Sequence, residues 1–259
     1  MVTYFSKGNA PRVYRFDRKA RFDKRSKDYD IGLRLAGREP VTKLWETNVI
    51  YDQEGGSCVA FAMAGEMSAE PVACGQISNE DVINKLYFPA QYIDDFPGGE
   101  YPDAYPWQEG TDLLSVLGLA VKYGVADSYE WAFSMLDIQR GISFSGPAIV
   151  GTGCYSGMIE PDRNGYIHPT GRYVGGHAYI LLGVNMEEQY FTLAMAWGPH
   201  WCHNGRSKIS FKDFDKLRRQ KGECAFLIGR HLVDLANVVP PAPPPKPNIS
   251  WWKRFLNWL

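Results

Sequence analysis

The residue with the clearest potential for chemistry is Cys58, which follows the glycine-rich segment 53–57. The uncharged, apolar run from Val59 to Met67 predicts a buried helix over about residues 57–70, with Ser57 as its N-cap. A cysteine in the first turn of a helix faces unpaired backbone N–H groups and the positive end of the helix dipole. We therefore expect a lowered pKa and a nucleophilic thiolate at Cys58.

Two neighbours of Cys58 fit the same chemistry. Gln53 can turn its side-chain amide toward the thiol, and together with the Cys58 N–H it would form a two-donor oxyanion hole. Gly55 and Gly56 allow the tight turn that precedes the helix. The alternative is that Cys58 is simply a small buried core residue, as free cysteines usually are.

A second chemistry-bearing residue, His177, opens an apolar stretch directly after Gly175 and Gly176. Glycines at the start of a strand let another chain segment approach the backbone closely. A lone histidine at such a place is more often a packed or surface group than a base. Because a helix-start cysteine lies upstream, however, the order Cys58 then His177 indicates a thiolate–imidazolium pair.

The third informative stretch runs from Ala194 to Arg206 and places Trp197 and Trp201 around a Gly-Pro turn. Four side chains in or after this stretch are of types that bind zinc: His200, Cys202, His203 and Cys224. Their spacing fits no standard structural zinc site. We therefore expect a plain loop beside the tryptophans, with no metal and no cofactor.

The three stretches together resemble the motifs of the papain-like cysteine peptidases. Residues 53–62 are similar to the family's Gln-x-x-x-Gly-Ser-Cys-x-Ala-Phe-Ala segment, and residues 176–183 to its base-bearing strand. Residues 197–205 are similar to the Trp-Gly-x-x-Trp-Gly-x-Asn-Gly part of its asparagine segment. Further similarity to compact peptidase-like proteins of phages and bacteria lies at residues 22–26, 110–111, 146–151 and 209–214. The resemblance covers most of residues 20–228.

The resemblance implies a role for each matching residue. Cys58 would be the nucleophile, and His177 the general base and acid. Gln53 and the Cys58 N–H would hold the oxyanion, with Gly56 and Gly176 as supporting residues of the site. Trp197 would shield the site from water.

The sequence departs from the family pattern at the third residue of the triad. The asparagine that orients the imidazole falls on Met195, whose thioether is at best a weak acceptor and cannot fix the ring's tautomer. Asn185 and Asn204 are alternative sources of an amide, but neither is at the matching position. The loop between Gln53 and Cys58 is also one residue shorter than in the family. Losing an orienting group weakens a triad without abolishing it.

The order of predicted elements, helices first and an antiparallel sheet after, indicates the α+β class. The resemblance implies a papain-like fold, with an N-terminal helical subdomain that carries the cysteine helix and packs on a C-terminal antiparallel β-sheet or barrel subdomain. Residues 21–50 are predicted to pack across the domain as an extended segment that ends in a short strand. The predicted helices after the central one are residues 84–96, 111–123, 135–141 and 211–219. The predicted strands are residues 148–152, 177–184, 189–196, 206–210 and 224–228.

Charge is distributed unevenly along the 259 residues. The net charge is -1, so composition gives no argument for nucleic-acid binding. Residues 1–47 carry 12 Lys and Arg against 6 Asp and Glu, a surplus of +6, which leaves -7 for the rest of the chain. A basic leading segment of this kind either contacts an acidic partner or lies on the acidic body of its own domain, and we expect the second. Residues 1–20 are predicted to form an irregular basic segment.

The C-terminal part is predicted to lie apart from a peptidase domain at residues 21–235. Residues 236–248 are rich in proline and predict a stiff polyproline II linker. Residues 249–259 carry three tryptophans and, as a helix, would be amphipathic. We expect this segment to dock on a protein partner or, less favourably, on a membrane surface. The alternative is that it folds back on its own domain.

Five cysteines, an odd number without a Cys-x-x-Cys pair, argue against a disulfide framework and for a reducing compartment. We see neither a signal peptide nor an apolar run long enough to span a membrane. These observations predict a cytoplasmic or phage-virion location.

Two functions remain open at this level. The first is a papain-like cysteine peptidase that hydrolyses amide bonds in a peptide or protein substrate, weakened by the loss of the triad asparagine; an amidase or transferase using the same Cys–His order on other amide bonds is a variant of it. The second is a catalytically impaired papain-fold binding or structural protein, for example of a phage particle, attached through residues 249–259.

Overall fold

A computed structural model describes residues 2–4, 12–21 and 23–245. Its α-helices are α1 Ile31–Arg34, α2 Cys58–Met67, α3 Asn79–Asp81, α4 Phe88–Ile93, α5 Leu113–Lys122, α6 Met135–Phe144 and α7 Phe211–Arg219. Its strands are β1 Val2–Tyr4, β2 Arg12–Tyr14, β3 Lys43–Leu44, β4 Ala126–Trp131, β5 Ala148–Tyr155, β6 Tyr173–Asn185, β7 Tyr190–Ala194, β8 Arg206–Ser210 and β9 Glu223–Arg230. Short 3₁₀ segments lie at Lys24–Asp28, Ser156–Met158 and Leu235–Asn237, and a π-helical turn at Val82–Tyr87 joins α3 to α4.

The main sheet has seven antiparallel strands in the order β4-β9-β5-β6-β7-β8, with β3 also paired to β6. Strand β6 is the longest, and its residues from Gly176 to Val184 are buried. Helix α2 packs directly on it: a Cβ placed on Gly65 would lie 3.2 Å from the Ile180 side chain. The predicted α+β class is confirmed, with the helices α2 to α5 preceding most of the sheet.

Helix α2 is buried along its whole length, from Cys58 to Met67. The sequence predicts this correctly because the run has almost no charge and no polar face. Ser57 is at the N-cap position, but its side chain makes no capping bond; the hydroxyl donates to the Glu54 carbonyl instead. The prediction of Ser57 as a side-chain cap is therefore wrong, and the first-turn N–H groups of α2 are left for other acceptors.

Several predicted boundaries change. The helix predicted at 111–123 begins after Asp112, whose carboxylate caps Ser115 N–H at 2.9 Å, while Thr111 bonds Asp94. Strand β4 was not predicted, since its alternation is weak, and β6 extends four residues before His177. The prediction that residues 1–20 are irregular is wrong for β1 and β2, which pair with each other in antiparallel register.

A buried ion pair joins the end of α2 to β9. Arg230 Nε lies 3.3 Å from Glu66 Oε1, and both side chains are almost fully buried. The Arg230 guanidinium also donates to the carbonyl oxygens of Glu66, Ala69 and Val72, which lie at and beyond the C-terminal end of α2. Burial raises the pKa of Glu66 to about 7, although Arg230 acts in the opposite direction. The pair thus fixes the chain after α2 at the cost of a buried carboxylate.

A second ion cluster holds the loop between β5 and β6. His168 Nε2 lies 3.1 Å from Asp162 in the same loop, and its Nδ1 lies 3.1 Å from Asp213 on α7. The hydrogen bond to Asp162, with that to Asp213, raises the pKa of His168. A protonated imidazole with a carboxylate at each nitrogen ties this loop to α7.

The predicted division of the chain at residues 20, 235 and 248 stays a prediction. Residues 232–245 continue from β9 as a short 3₁₀ turn and an extended proline-rich stretch, and Lys85 donates to the Val238 carbonyl at 2.8 Å. The tryptophan-rich segment 249–259 lies outside the described residues. Across the described ranges, no helix has the length and apolarity that a membrane crossing requires.

Candidate active site

Cys58 lies at the start of α2, and its thiol faces β6. The backbone of Ala178, which follows His177, and the backbone of Asp17 lie close enough to the thiol to lower its pKa. The thiol is therefore next to the strand that carries the imidazole, as the order of the motifs predicts. Both Cys58 and His177 have 0% of their surface exposed.

The His177 ring has one engaged and one unengaged nitrogen. Its Nε2 lies 3.2 Å from the main-chain carbonyl oxygen of Met195. Its Nδ1 is buried and has no hydrogen-bond partner among the described residues. Because a carbonyl oxygen only accepts, the hydrogen bond places the proton of the neutral ring on Nε2 and leaves the lone pair on Nδ1. A general base needs this lone pair to take a proton from a thiol.

The orienting group is therefore the Met195 backbone and not its side chain. The prediction that the Met195 thioether cannot fix the tautomer stays a prediction, because it is the main-chain carbonyl of this residue that bonds the ring. Asn185 bonds Glu188 and Tyr190, and Asn204 lies in a turn with φ of 52°, so neither is shown to replace the triad asparagine. The sequence does not indicate this contact. Every residue has a main-chain carbonyl, so nothing in the residue types shows which carbonyl meets the imidazole.

Trp197 and Gln53 lie on the two sides of this pair. The Trp197 ring stacks on the His177 ring with a centroid distance of 5.0 Å and an angle of 22°. Gln53 is held beside the tryptophan segment by a hydrogen bond from its N–H to the Ala196 carbonyl at 2.8 Å. The Gln53 side-chain nitrogen faces the carbonyl oxygens of Gly55 at 3.4 Å and Arg15 at 3.5 Å. The Gln53 amide is thus engaged by two main-chain carbonyls, and its role as an oxyanion donor stays a prediction.

Residues 15–21, here called the arm, cover the site. The arm pairs with β6 in parallel: Arg18 N–H donates to the Gly176 carbonyl at 3.0 Å, and Asp17 forms a bridge with Gly176. On the opposite side, Lys19 N–H donates to the Thr111 carbonyl at 3.0 Å. The Phe16 ring meets the His177 ring edge-on at 5.8 Å. The arm therefore closes the cleft between the two halves of the fold and accounts for the burial of the thiol and imidazole.

Glycines on both walls make room for the arm. A Cβ on Gly176 would lie 2.4 Å from the Arg18 carbonyl oxygen, and a Cβ on Gly175 2.4 Å from the Phe16 carbonyl oxygen. A Cβ on Gly56 would lie 3.2 Å from the Asp17 side chain, and Gly110 has φ of 83° with Asp17 against it. The prediction that the glycines before His177 admit a close backbone approach is confirmed. The cleft is thus shaped for an extended peptide.

The arm also determines the ionisation of the pair. Burial raises the pKa of Cys58 to about 11, and the two backbone donors lower it by less. Burial likewise lowers the pKa of His177 to about 4. The predicted low pKa of Cys58 is therefore wrong for this closed state, because loss of water outweighs the helix N-terminus. Both shifts favour the neutral form at pH 7, the thiol for Cys58 and the unprotonated imidazole for His177.

The basic surplus of the leading segment is satisfied within the domain. Arg18 pairs with Glu223 at the start of β9, and Arg15 pairs with Glu109. Arg21 lies 2.6 Å from Asp95 and 3.7 Å from Asp112. Lys19 interacts with Asp94 and Asp112, among other carboxylates. The prediction that the basic leading segment lies on the acidic body of its own domain is confirmed for these four residues.

The loop of potential zinc ligands shows no shared site. Cys202 Sγ lies 3.8 Å from His203 Nδ1, whereas Cys224 is buried in the sheet core. Within the described ranges, no group of three or more His, Cys, Asp or Glu side chains is arranged to hold a metal ion. All five cysteines are described, and each is a free thiol.

Comparison with known proteins agrees with this geometry. The chain is 30% identical over 92 residues to cathepsin B-like cysteine proteinase 6 of Caenorhabditis elegans, covering 35% of this chain and 23% of that protein. It is 30% identical over 89 residues to a gut-specific cysteine proteinase of the same organism, covering 34% of this chain and 27% of that protein. The chain thus spans about a quarter of the length of these curated relatives. No protein-family model matches the chain.

Solved structures extend the similarity over most of the fold. Xylellain, a cysteine protease from Xylella fastidiosa, superposes with a TM-score of 0.60 at 13% identity, covering 83% of this chain and 92% of its own. Procathepsin B S9 from Trypanosoma congolense superposes with a TM-score of 0.52 at 13% identity, covering 86% and 85%. The fold is therefore papain-like, as the motifs predict. The resemblance to the papain-like cysteine peptidases is confirmed, and the sequence relatives named here include a cathepsin B-like proteinase.

Proposed function

We propose that this protein is a cysteine peptidase that hydrolyses amide bonds of peptides or proteins through Cys58. The observation that carries the proposal is the orientation of His177. The buried imidazole, one residue before the Ala178 backbone that adjoins the Cys58 thiol, is bonded at Nε2 by the Met195 carbonyl. Its Nδ1 has no partner among the described residues and can act as a base.

The reaction follows from these positions once the arm has left the cleft. His177 Nδ1 takes the thiol proton, and the Cys58 sulfur attacks the scissile carbonyl carbon. Gln53 and the Cys58 N–H stabilise the oxygen that gains negative charge. His177 then gives the proton to the leaving amine, so that the C–N bond breaks and a thioester remains. Water, deprotonated by His177, cleaves the thioester and restores the thiol.

Arm displacement is a required step in this proposal. With the arm in place, burial favours the neutral forms of the two catalytic groups, and the Asp17 backbone lies near the thiol. Once the arm leaves, solvent and a substrate carbonyl would take its place. Removal of the desolvation that raises the Cys58 pKa and lowers the His177 pKa favours the thiolate–imidazolium form.

The proposal is tested with a peptide vinyl sulfone, which forms a thioether only with an activated thiolate. Intact-mass and peptide mass spectrometry should locate the adduct on Cys58, and His177→Ala should reduce its rate by about a hundredfold or more. Cys74 and Cys202, which are partly exposed, serve as internal references for ordinary thiol reactivity. Labelling of these two without Cys58, in protein whose arm has been weakened, would contradict the proposal.

A second candidate is a papain-fold binding protein that no longer hydrolyses anything. It is favoured by the complete burial of Cys58 and His177. In this alternative, residues 249–259 attach the protein to a protein partner, for example one in a phage particle, or to a membrane surface. Cys58→Ala should then leave biological function intact, whereas deletion of residues 249–259 should abolish it; the peptidase proposal expects the reverse for Cys58→Ala.

A further inference from the structure

The side chain of Arg18 occupies a pocket in the cleft wall beside the catalytic pair. Only 4% of this side chain is exposed. Its guanidinium is bonded by the Glu223 carboxylate and donates to the Lys221 carbonyl at 3.3 Å. A Cβ on Gly151 would lie 2.2 Å from Arg18 Nε and 2.7 Å from Arg18 Cδ, so the glycine is what gives the side chain its space.

The pocket is directly linked to the reacting groups. Gly151 on β5 is paired with Ala178, the residue that follows His177 and whose backbone lies near the Cys58 thiol. Gly151 is also paired with Glu223 on β9. Three paired residues on neighbouring strands therefore lie in one row. Gly151 leaves space for a long side chain, Glu223 supplies the carboxylate that pairs with its charge, and Ala178 directly follows the proposed base.

Carboxylates continue along the cleft on either side of this pocket. Glu109 and Glu100 face Arg15 on one side, the latter at 3.9 Å. Asp94, which accepts a hydrogen bond from Thr111, lies near Lys19 on the other side. Without Arg18, the pocket would leave the Glu223 carboxylate, whose side chain is only 16% exposed, without its cation. A cationic side chain from an incoming peptide would satisfy it.

Resting on the proposed peptidase function, we propose that the open cleft selects peptides with basic side chains, and that Glu223 is the residue determining specificity for arginine beside the cleavage site. The arm fills the cleft with the same chemistry that a substrate brings. A site that is built to bond a charged group rejects an uncharged analogue strongly, because its own buried polar group is then left unpaired.

The test compares two peptides that differ only in arginine and citrulline, its neutral analogue of nearly the same shape. Binding of each fluorescent peptide is measured by anisotropy to the full chain carrying Cys58→Ala and Arg18→Ala, so that nothing is cleaved and the pocket is vacant. We expect the arginine peptide to bind at least about tenfold more tightly. Adding Glu223→Gln should remove the preference, and Asp127→Asn, an exposed carboxylate on β4, should leave it unchanged.

Gly151→Ala gives a second reading that does not depend on charge. The added methyl group occupies the position of the arginine Nε and Cδ, so binding of the arginine peptide should weaken while binding of a glycine analogue at that position stays the same. Equal binding of arginine and citrulline peptides, or a preference that survives Glu223→Gln, would overturn the assignment, because the carboxylates would then serve only to hold the arm.

Turnover is measured separately, with the Cys58 thiol restored. An arginine preference in binding without hydrolysis of either peptide would refute the proposed peptidase function and leave the specificity of the cleft standing. Hydrolysis without an arginine preference would refute the specificity of the cleft and leave the proposed peptidase function standing. The two proposals therefore fail on different results.

Discussion

Replacement of Arg18 by alanine is predicted to open the cleft and expose Cys58. The Arg18–Glu223 pair is the most buried anchor of the arm, with 4% and 16% of the two side chains exposed. A hydrogen bond to a charged group contributes about 1.5–3 kcal/mol, and the loss also leaves Glu223 without its partner. A shift of about 2 kcal/mol in the equilibrium between closed and open arm raises the open population by about thirtyfold.

The assay is the rate at which a small thiol reagent labels Cys58, followed by mass spectrometry under native conditions. When the arm opens and closes faster than the reagent reacts, this rate is proportional to the open population. Arg18→Ala should therefore label about ten to one hundred times faster than the unaltered chain. The matched control is Arg25→Ala, which removes an exposed arginine paired with Asp23 outside the cleft.

The pH dependence gives an independent check. The closed arm raises the pKa of Cys58 to about 11, so the closed state binds the thiol proton more tightly than the open state. Rising pH therefore favours opening once it exceeds the pKa of the open thiol. Arg18→Ala should shift the labelling profile toward lower pH. Equal rates and superimposable profiles in two folded proteins would refute the view that the arm controls the site.

Three further predictions concern the site and its scaffold. Met195→Leu should leave kcat/KM within about threefold, because a volume-conserving swap keeps the backbone carbonyl that orients the base, and a much larger loss measured by steady-state kinetics would contradict this. Because burial raises the pKa of Glu66 to about 7 from 4.5, urea denaturation should show stability falling by up to about 3 kcal/mol between pH 4.5 and 7, and Glu66→Gln should flatten this trend. Asp162 and Asp213 raise the pKa of His168, so the protonated imidazole should protect its loop from hydrogen exchange at pH 6. This protection should disappear as the pH rises through the raised pKa, and His168→Gln should show no such change with pH.

The parts of the site that the sequence predicts are those that depend on local pattern. An apolar run after a glycine turn places Cys58 at the start of a buried helix, and paired glycines before an apolar strand place His177 on β6. Both conclusions need only neighbouring residues. The resemblance to a known family adds the long-range pairing of the two, which spacing alone does not provide.

The parts that the sequence does not predict depend on the path of the chain in space. Nothing local shows that Phe16 and Asp17 return to cover residues far along the chain, and so the pKa of Cys58 was predicted with the wrong sign. Two signals could have indicated the arm: its surplus of basic residues and the glycines at 56 and 110. The role of these glycines in making room for Asp17 is visible only in the folded cleft. Glu223 had no local signal at all.

The covering of the proposed nucleophile and base combines core packing with the arm. Cys58 belongs to a hydrophobic core cluster that includes other residues of α2 and Ala178 of β6. The arm adds an extended segment, bonded to both walls through main-chain groups and lying in a channel kept clear by glycines. Its cations meet carboxylates that lie along the cleft. We expect the arm to leave without disturbing α2 or β6, and the labelling rate of Arg18→Ala tests this directly.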